Sequence, residues 1–200
     1  MTSAVSTFAV AEVLVPNPAF AFYVALGYRP ISVTRMLAVT TGGADPRARS
    51  AVAADAMAVA QLEMERRRVA REGGDLRLDR PTAVDASFTH AVARHLEALP
   101  AGELVVADGG IKAQGSFRAA TLEAPFVPAV RAALGRVAVA RGADESVLLL
   151  IGLALARARR RGALRLELAD LSIRPDDAVG RVLQQAGARP FSRIVGRLLG

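Results

Sequence analysis

Two hundred residues are enough for one large domain or two small ones, and a domain this size hides roughly 70 % of its unfolded surface without covalent staples. Apolar residues at 52 % and charged residues at 22 % exclude a disordered chain. The absence of cysteine excludes disulfides, thiolate catalysis and cysteine-ligated metals, and two histidines exclude a histidine-rich metal site.

The net charge of +7 raises the question of nucleic acid. Lys112 is the only lysine and about a fifth of the chain is alanine, so the arginine excess reads as compositional bias. Aromatics are 4 % and tryptophan is absent, whereas single-strand binders stack bases on rings. A nucleic-acid partner is the weaker expectation. The longest apolar run, 147–156, is half the ~20 residues a membrane span needs. Before Arg29 the only charge is Glu12, and Pro16 and Pro18 interrupt the stretch, which reads as strand and helix, not as a signal segment. A cytoplasmic protein is expected.

In chain order, 8–15 (FAVAEVLV) predicts a strand. Asn17 caps a helix over 18–26, with Pro18 in its first turn and Gly27 at its end. Residues 29–39 predict a second strand and 40–45 a loop. A long helix is expected over 46–71 with Ala53, Met57, Ala60 and Met64 as its apolar stripe, ended by Gly73 and Gly74. A polar strand or turn fills 75–81. Val84, Phe88 and Val92 begin a helix that closes near Leu99.

Residues 103–107 (ELVVA) predict a strand, and Asp108-Gly109-Gly110 turns it into a second run near 116–122. A short helix is expected over 125–134 and a strand over 136–140. Asp144 predicts an N-cap for a helix to Arg161, whose last turn holds Arg157, Arg159, Arg160 and Arg161 where the helix dipole favours cations. Strand 164–168, helix 176–186 and strand 191–199 complete an alternating pattern. The expected fold is α/β, a mixed central sheet flanked by helices. The expected organisation is one domain over 1–200, with sub-units 1–45, 46–100 and 101–200.

The stretch from Arg136 to Leu199 resembles the GCN5-related N-acetyltransferase superfamily. There a strand leads through a pyrophosphate loop into a helix, followed by strand, helix and strand. The N-terminal stretch VLVPNPAFAFYVALGYRPISVTRML looks like the closing half of the same fold, with Asn17, Tyr23, Gly27 and Tyr28 at the positions such tails use. The two stretches echo each other: Gly27-Tyr28-Arg29-Pro30-Ile31-Ser32 parallels Gly187-Ala188-Arg189-Pro190-Phe191-Ser192, which suggests duplication.

The resemblance implies an acetyl-CoA or other acyl-CoA donor, an amine acceptor and no metal. It assigns cofactor binding to Arg141, Gly142 and Ser146 and a general-acid role to Tyr23. The chain departs from the family loop at Asp144, where a glycine is usual, and at Ser146, where glycine or alanine is usual. Two carboxylates there repel a diphosphate and suit helix capping. Leu183 occupies the echo of Tyr23 and transfers no proton. An active enzyme therefore needs its halves to complete each other, and the alternative is a non-catalytic binding or assembly module. A functional site should leave a cleft beside 141–146; a structural module should fill it with Val147 and Leu148.

Other candidates have plainer readings. Asp108 followed by two glycines could bind metal or phosphate but also makes a hairpin turn. His90 and His95, five apart on a helix, cannot share a metal. The clusters 66–68 and 157–161 read as solvated helix ends, and as a surface for an anionic partner such as nucleic acid only if they share a face. Apolar composition makes a homodimer plausible.

Overall fold

The computed structural model describes residues 7–40, 43–77, 84–99, 102–119, 131–172 and 178–199. The strands are β1 (Thr7–Leu14), β2 (Arg29–Ala38), β3 (Ala48–Ser50), β4 (Glu103–Ala107), β5 (Ile111–Ala119), β6 (Arg131–Val139), β7 (Arg165–Ser172) and β8 (Arg189–Leu199). The helices are α1 (Ala19–Ala25), α2 (Ala56–Glu72), α3 (Ala86–Ala98), α4 (Ser146–Arg160) and α5 (Ala178–Gln185). All eight strands form one mixed sheet in the order β1-β8-β2-β7-β6-β5-β4-β3, antiparallel except for the parallel pair β6 and β7.

Helices cover both faces. Leu104, Val106, Ala113 and Leu134 meet Leu150, Ile151 and Ala154 of α4, with Leu183 of α5 in the same core. Val105, on the opposite face, meets Val59 of α2 and Leu96 of α3. This alternation follows from the two-residue period of strands. The run 147–156 lies within α4, and among the described residues no helix is long and apolar enough to cross a membrane.

Four expectations are corrected. Residues 48–50 form a strand paired with β4 and 53–55 a 3-10 turn, so the long helix begins at Ala56. Its buried stripe is Ala56, Val59, Ala60, Glu63 and Ala70, while Met57 is half exposed. Residues 131–134 belong to β6 and pair with β7, not to a helix. The 75–81, 116–122, 125–134 and 176–186 expectations fall partly outside the described residues. Asp144 is not the N-cap: Glu145 is, without a side-chain capping bond. Asn17 and Asp85 do bond helix-start amides, to Ala19 N and Phe88 N.

The sequence echo is a spatial one. Arg29 lies opposite Gly196 and Met36 opposite Arg189; Pro30 faces Val195 and Arg35 faces Pro190; Val33 faces Arg193 at the centre. A pseudo-two-fold axis through that central pair maps β7-α5-β8 onto β1-α1-β2. Gly27 and Gly187 both take φ +83° and end their helices alike, with Tyr28 N bonded to Tyr23 O and Ala188 N to Leu183 O. A left-handed residue ends a helix cheaply only as glycine, so the two share one local solution.

Candidate functional site between the parted strands

The parallel pair β6–β7 is joined over only four residues, from Arg131 opposite Arg165 to Leu134 opposite Leu168. Both strands continue, but among the described residues no further pairing joins them. Just past this point β6 bulges: Gln114 faces Ala138 and Ser116 faces Gly135, so β6 has one residue more than β5. Arg136 occupies the bulge with φ +51°, a left-handed conformation costing roughly 1–3 kcal/mol for a residue with a Cβ. The bulge bends β6 where it leaves β7. The result is a wedge-shaped gap with ladder-free backbone on its walls.

A cavity of about 540 Å³ lies where 141–146 enters α4, lined by Gly142, Asp144, Glu145, Ser146, Arg181 and Gln185. Gly142 takes φ +75° with open space around it. Val147 turns into the core and Leu148 outward to solvent. The space beside this loop is therefore open, as expected of a site. The amides of Ser146, Val147 and Leu148 are bonded to Ala143, Asp144 and Glu145 carbonyls within the turn.

Of the residues singled out from sequence, Gly142 and Ser146 line this cavity, and Arg141 precedes them. Tyr23 is elsewhere, half-buried on α1 with its ring against Phe22 and Tyr28 at centroid distances of 5.8 and 5.4 Å. The strands β7, β2 and β8 stand between the gap and β1, about 15 Å at the usual strand spacing. By the pseudo-two-fold, Tyr23 sits where Leu183 sits beside the gap.

On the opposite face, α2 sends Glu63 under the sheet beside the bulge. Arg66 Nε and Nη2 donate to its two oxygens at 2.8 and 2.9 Å, Arg67 Nε at 2.9 Å, and Arg136 Nη2 lies 3.7 Å away. Burial opposes ionisation of Glu63 most strongly, but the hydrogen bond and charge of Arg66, the hydrogen bond of Arg67 and the charge of Arg136 overcome it and hold its pKa below the ordinary value. Sequence reading missed this group because 63–68 looks like a solvated charge run.

The remaining candidates resolve plainly. Asp108 N bonds Gly110 O in a hairpin turn, and its carboxylate meets Arg47 at 3.1 Å. His95 Nε2 lies 3.1 Å from Glu103 Oε1, which also accepts from Ser116 Oγ. The serine proton goes to the carboxylate, not the imidazole, so this is no nucleophile triad. Arg66 and Arg67 pair with Glu63, and Arg68 with Glu65 and Glu72. The 66–68 and 157–161 clusters lie on opposite faces of the sheet and form no common anion-binding surface. No group of metal-ligating side chains occurs among the described residues.

No family model matches the sequence, and no curated protein matches it. Solved structures do match. A GCN5-related N-acetyltransferase from Sphaerobacter thermophilus superposes with a TM-score of 0.58 at 16 % identity, over 96 % of this chain and 60 % of that one. A GNAT-family acetyltransferase from Colwellia psychrerythraea gives 0.54 at 12 % identity, over 96 % and 65 %. The chain thus spans under two thirds of the length of either. With the mixed sheet, the parted parallel strands and the helix that follows β6, these likenesses establish that the chain has the fold of the GCN5-related N-acetyltransferases.

Proposed function

We propose that the protein binds an acyl-CoA between β6 and β7 and passes its acyl group to an amine. The parting of these strands after Leu134 and Leu168 carries the reading. A thioester chain laid in the gap meets backbone N–H and C=O groups that no neighbouring strand uses, so it can bond there as an added strand would. At the outer end, Gly142 leaves room for a diphosphate, and Arg141 and Arg181 supply positive charge. The open cavity and the free strand edges support this reading. The charge fits it less well at Asp144 and Glu145.

An acyl-CoA supplies an electrophilic thioester carbonyl; a neutral amine forms the C–N bond as the C–S bond breaks, one proton leaving nitrogen and one reaching sulfur. This chain's residues would orient the donor and exclude water. Glu63 is held as a carboxylate by guanidinium groups, so it shapes the field beside the bulge and is a poor proton acceptor. We assign Tyr23 as proton donor only to an acyl site on its own half-unit, because Leu183 holds its place beside the β6–β7 gap. In this reading the whole chain acts as one unit in the cytoplasm, with no nucleic-acid partner and no metal.

A second reading, a binding or assembly module without catalysis, is favoured by Asp144 and Glu145 lining the cavity and by the turn bonds that occupy the α4 amides. Isothermal titration with acetyl-CoA and a longer acyl-CoA tests both. Binding that weakens by about tenfold in Ser146→Glu and tightens in Asp144→Gly supports the cleft. Absence of heat with either donor at high micromolar concentration overturns it.

We also propose a homodimer. Strand β1 is an open edge, helix α1 buries none of its residues, and Leu14, Phe22 and Leu198 are each more than half exposed. Light scattering after size exclusion should give a dimer for the native chain and a monomer for Leu14→Lys/Phe22→Asp. A monomeric native chain refutes the proposal.

A further inference from the structure

The far end of α4 holds a second cavity, of about 530 Å³, lined by Gly102, Phe117, Ala119, Arg157, Arg160 and Arg161. Eleven helical steps separate Arg157 in its lining from Ser146 at the acyl-CoA cleft, about 16 Å at 1.5 Å per residue. The three arginines stand at i, i+3 and i+4, on one helical face, and that face looks onto the sheet where β4 begins and β5 ends. No carboxylate occurs among the described residues that line it.

Capping of the α4 dipole explains why cations occur here but not why they converge. Dipole-serving arginines can spread into solvent, as Arg159 does outside this lining. Arg157 instead lies half-buried and donates through Nη2 to Ser50 Oγ at 2.6 Å, a bond from α4 across to β3. Its charge is disfavoured first by burial and then by Arg160, so its pKa is lowered. Like charges on adjacent helical positions repel, so their convergence on one concavity is opposed by their own charge. Phe117 forms an apolar wall, and its own amide bonds Gly102 O, which fixes the floor.

We propose that this cavity is a binding site for a small phosphate-type anion bearing at least two negative charges. Guanidinium forks match tetrahedral oxyanions in pairs of bonds, and the volume is that of a small-molecule pocket, too small for a nucleic-acid helix. Arg160 and Arg161, exposed in the free protein, supply the mobile part of the grip, and Arg157, held by Ser50, the fixed part.

Inorganic pyrophosphate is the test ligand, titrated calorimetrically into the full chain at low salt. One saturable component should weaken about tenfold or more in Arg160→Gln/Arg161→Gln and persist in Arg141→Gln/Arg181→Gln, which removes only what the acyl-CoA cleft contributes. The first pair is solvent-exposed, so its circular dichroism and melting should match the native chain. The proposal is overturned if the first variant binds like the native chain, or if the second loses the binding, which would move the anion to the acyl-CoA cleft. It is also overturned if pyrophosphate does not saturate while single-stranded oligonucleotides bind more tightly with length, the mark of an extended polyanion surface. Acetyl-CoA titration of the Arg160→Gln/Arg161→Gln variant separates the two sites: the donor should bind it unchanged.

Discussion

Replacing Glu63 with glutamine should destabilise the protein by about 3–5 kcal/mol, measured by urea unfolding at pH 7. Its carboxylate is 3 % exposed and Arg66, its bidentate partner, 11 %. Removing the charge leaves guanidinium groups half out of water without the anion that compensates them. The loss exceeds what the pair contributes over an apolar replacement, because breaking a buried pair costs more than never having it. The pH dependence has a definite sign. The folded-state pKa of Glu63 is lowered, so its contribution is complete above its ordinary value of 4.5 and disappears as pH falls through the folded value. The gap between native chain and variant should therefore narrow only below about pH 4.5, and a gap unchanged at pH 3 would contradict this account. Arg136 adds a local consequence: it holds the bulge through its left-handed conformation and reaches Glu63, so the variant should also loosen β6 beside the gap, seen as faster amide exchange at 135–139.

The two ends of the chain were readable because their signals are local. Gly27 and Gly187 end helices in the only conformation that suits glycine alone, and the flanking strands are apolar runs of the right length. The middle was not readable, because its strands are specified from far away. Pro46 followed by an alanine-rich run imitates a helix start, yet Ala48, Arg49 and Ser50 are fixed by Val106, Val105 and Leu104. Arg131 to Leu134 become a strand because β7 supplies a parallel partner from Arg165 onward. The site divides in the same way. Gly142 and Ser146 stand out through their spacing before an apolar helix. The gap belongs to two strands at once, the bulge uses an arginine where a glycine would have been noticed, and Glu63 hides among charges that are mostly on the surface. Tyr23 was singled out by resemblance to a closing segment of the family, and the pseudo-two-fold puts that segment on the other half-unit.

Gly115 lies in the contact between the sheet and α4, whereas Gly152 of α4 is directed toward the loop at Gly43, and the two should respond in opposite directions. A Cβ at Gly115 would sit 2.9 Å from Leu134 Cδ1 and 3.2 Å from Leu150 Cδ2, both on fully buried side chains, and 3.4 Å from the Gly135 carbonyl oxygen. Neither leucine has an exposed end that can swing away, and the backbone oxygen is part of the bulge. Gly115→Val should therefore cost about 3 kcal/mol and push α4 off the sheet, with the cleft at the helix start distorted along with it. Acyl-CoA titration of that variant should weaken even though residue 115 does not line the cavity. Among the described residues a Cβ at Gly152 meets only the Gly43 oxygen, at 3.9 Å, and the residue is inside a helix. Gly152→Ala should stabilise by roughly 0.5–1 kcal/mol, chiefly by restricting the unfolded chain. Thermal melting of the two variants decides the point: a Gly115→Val variant that melts with the native chain, or a Gly152→Ala variant that melts below it, contradicts this account.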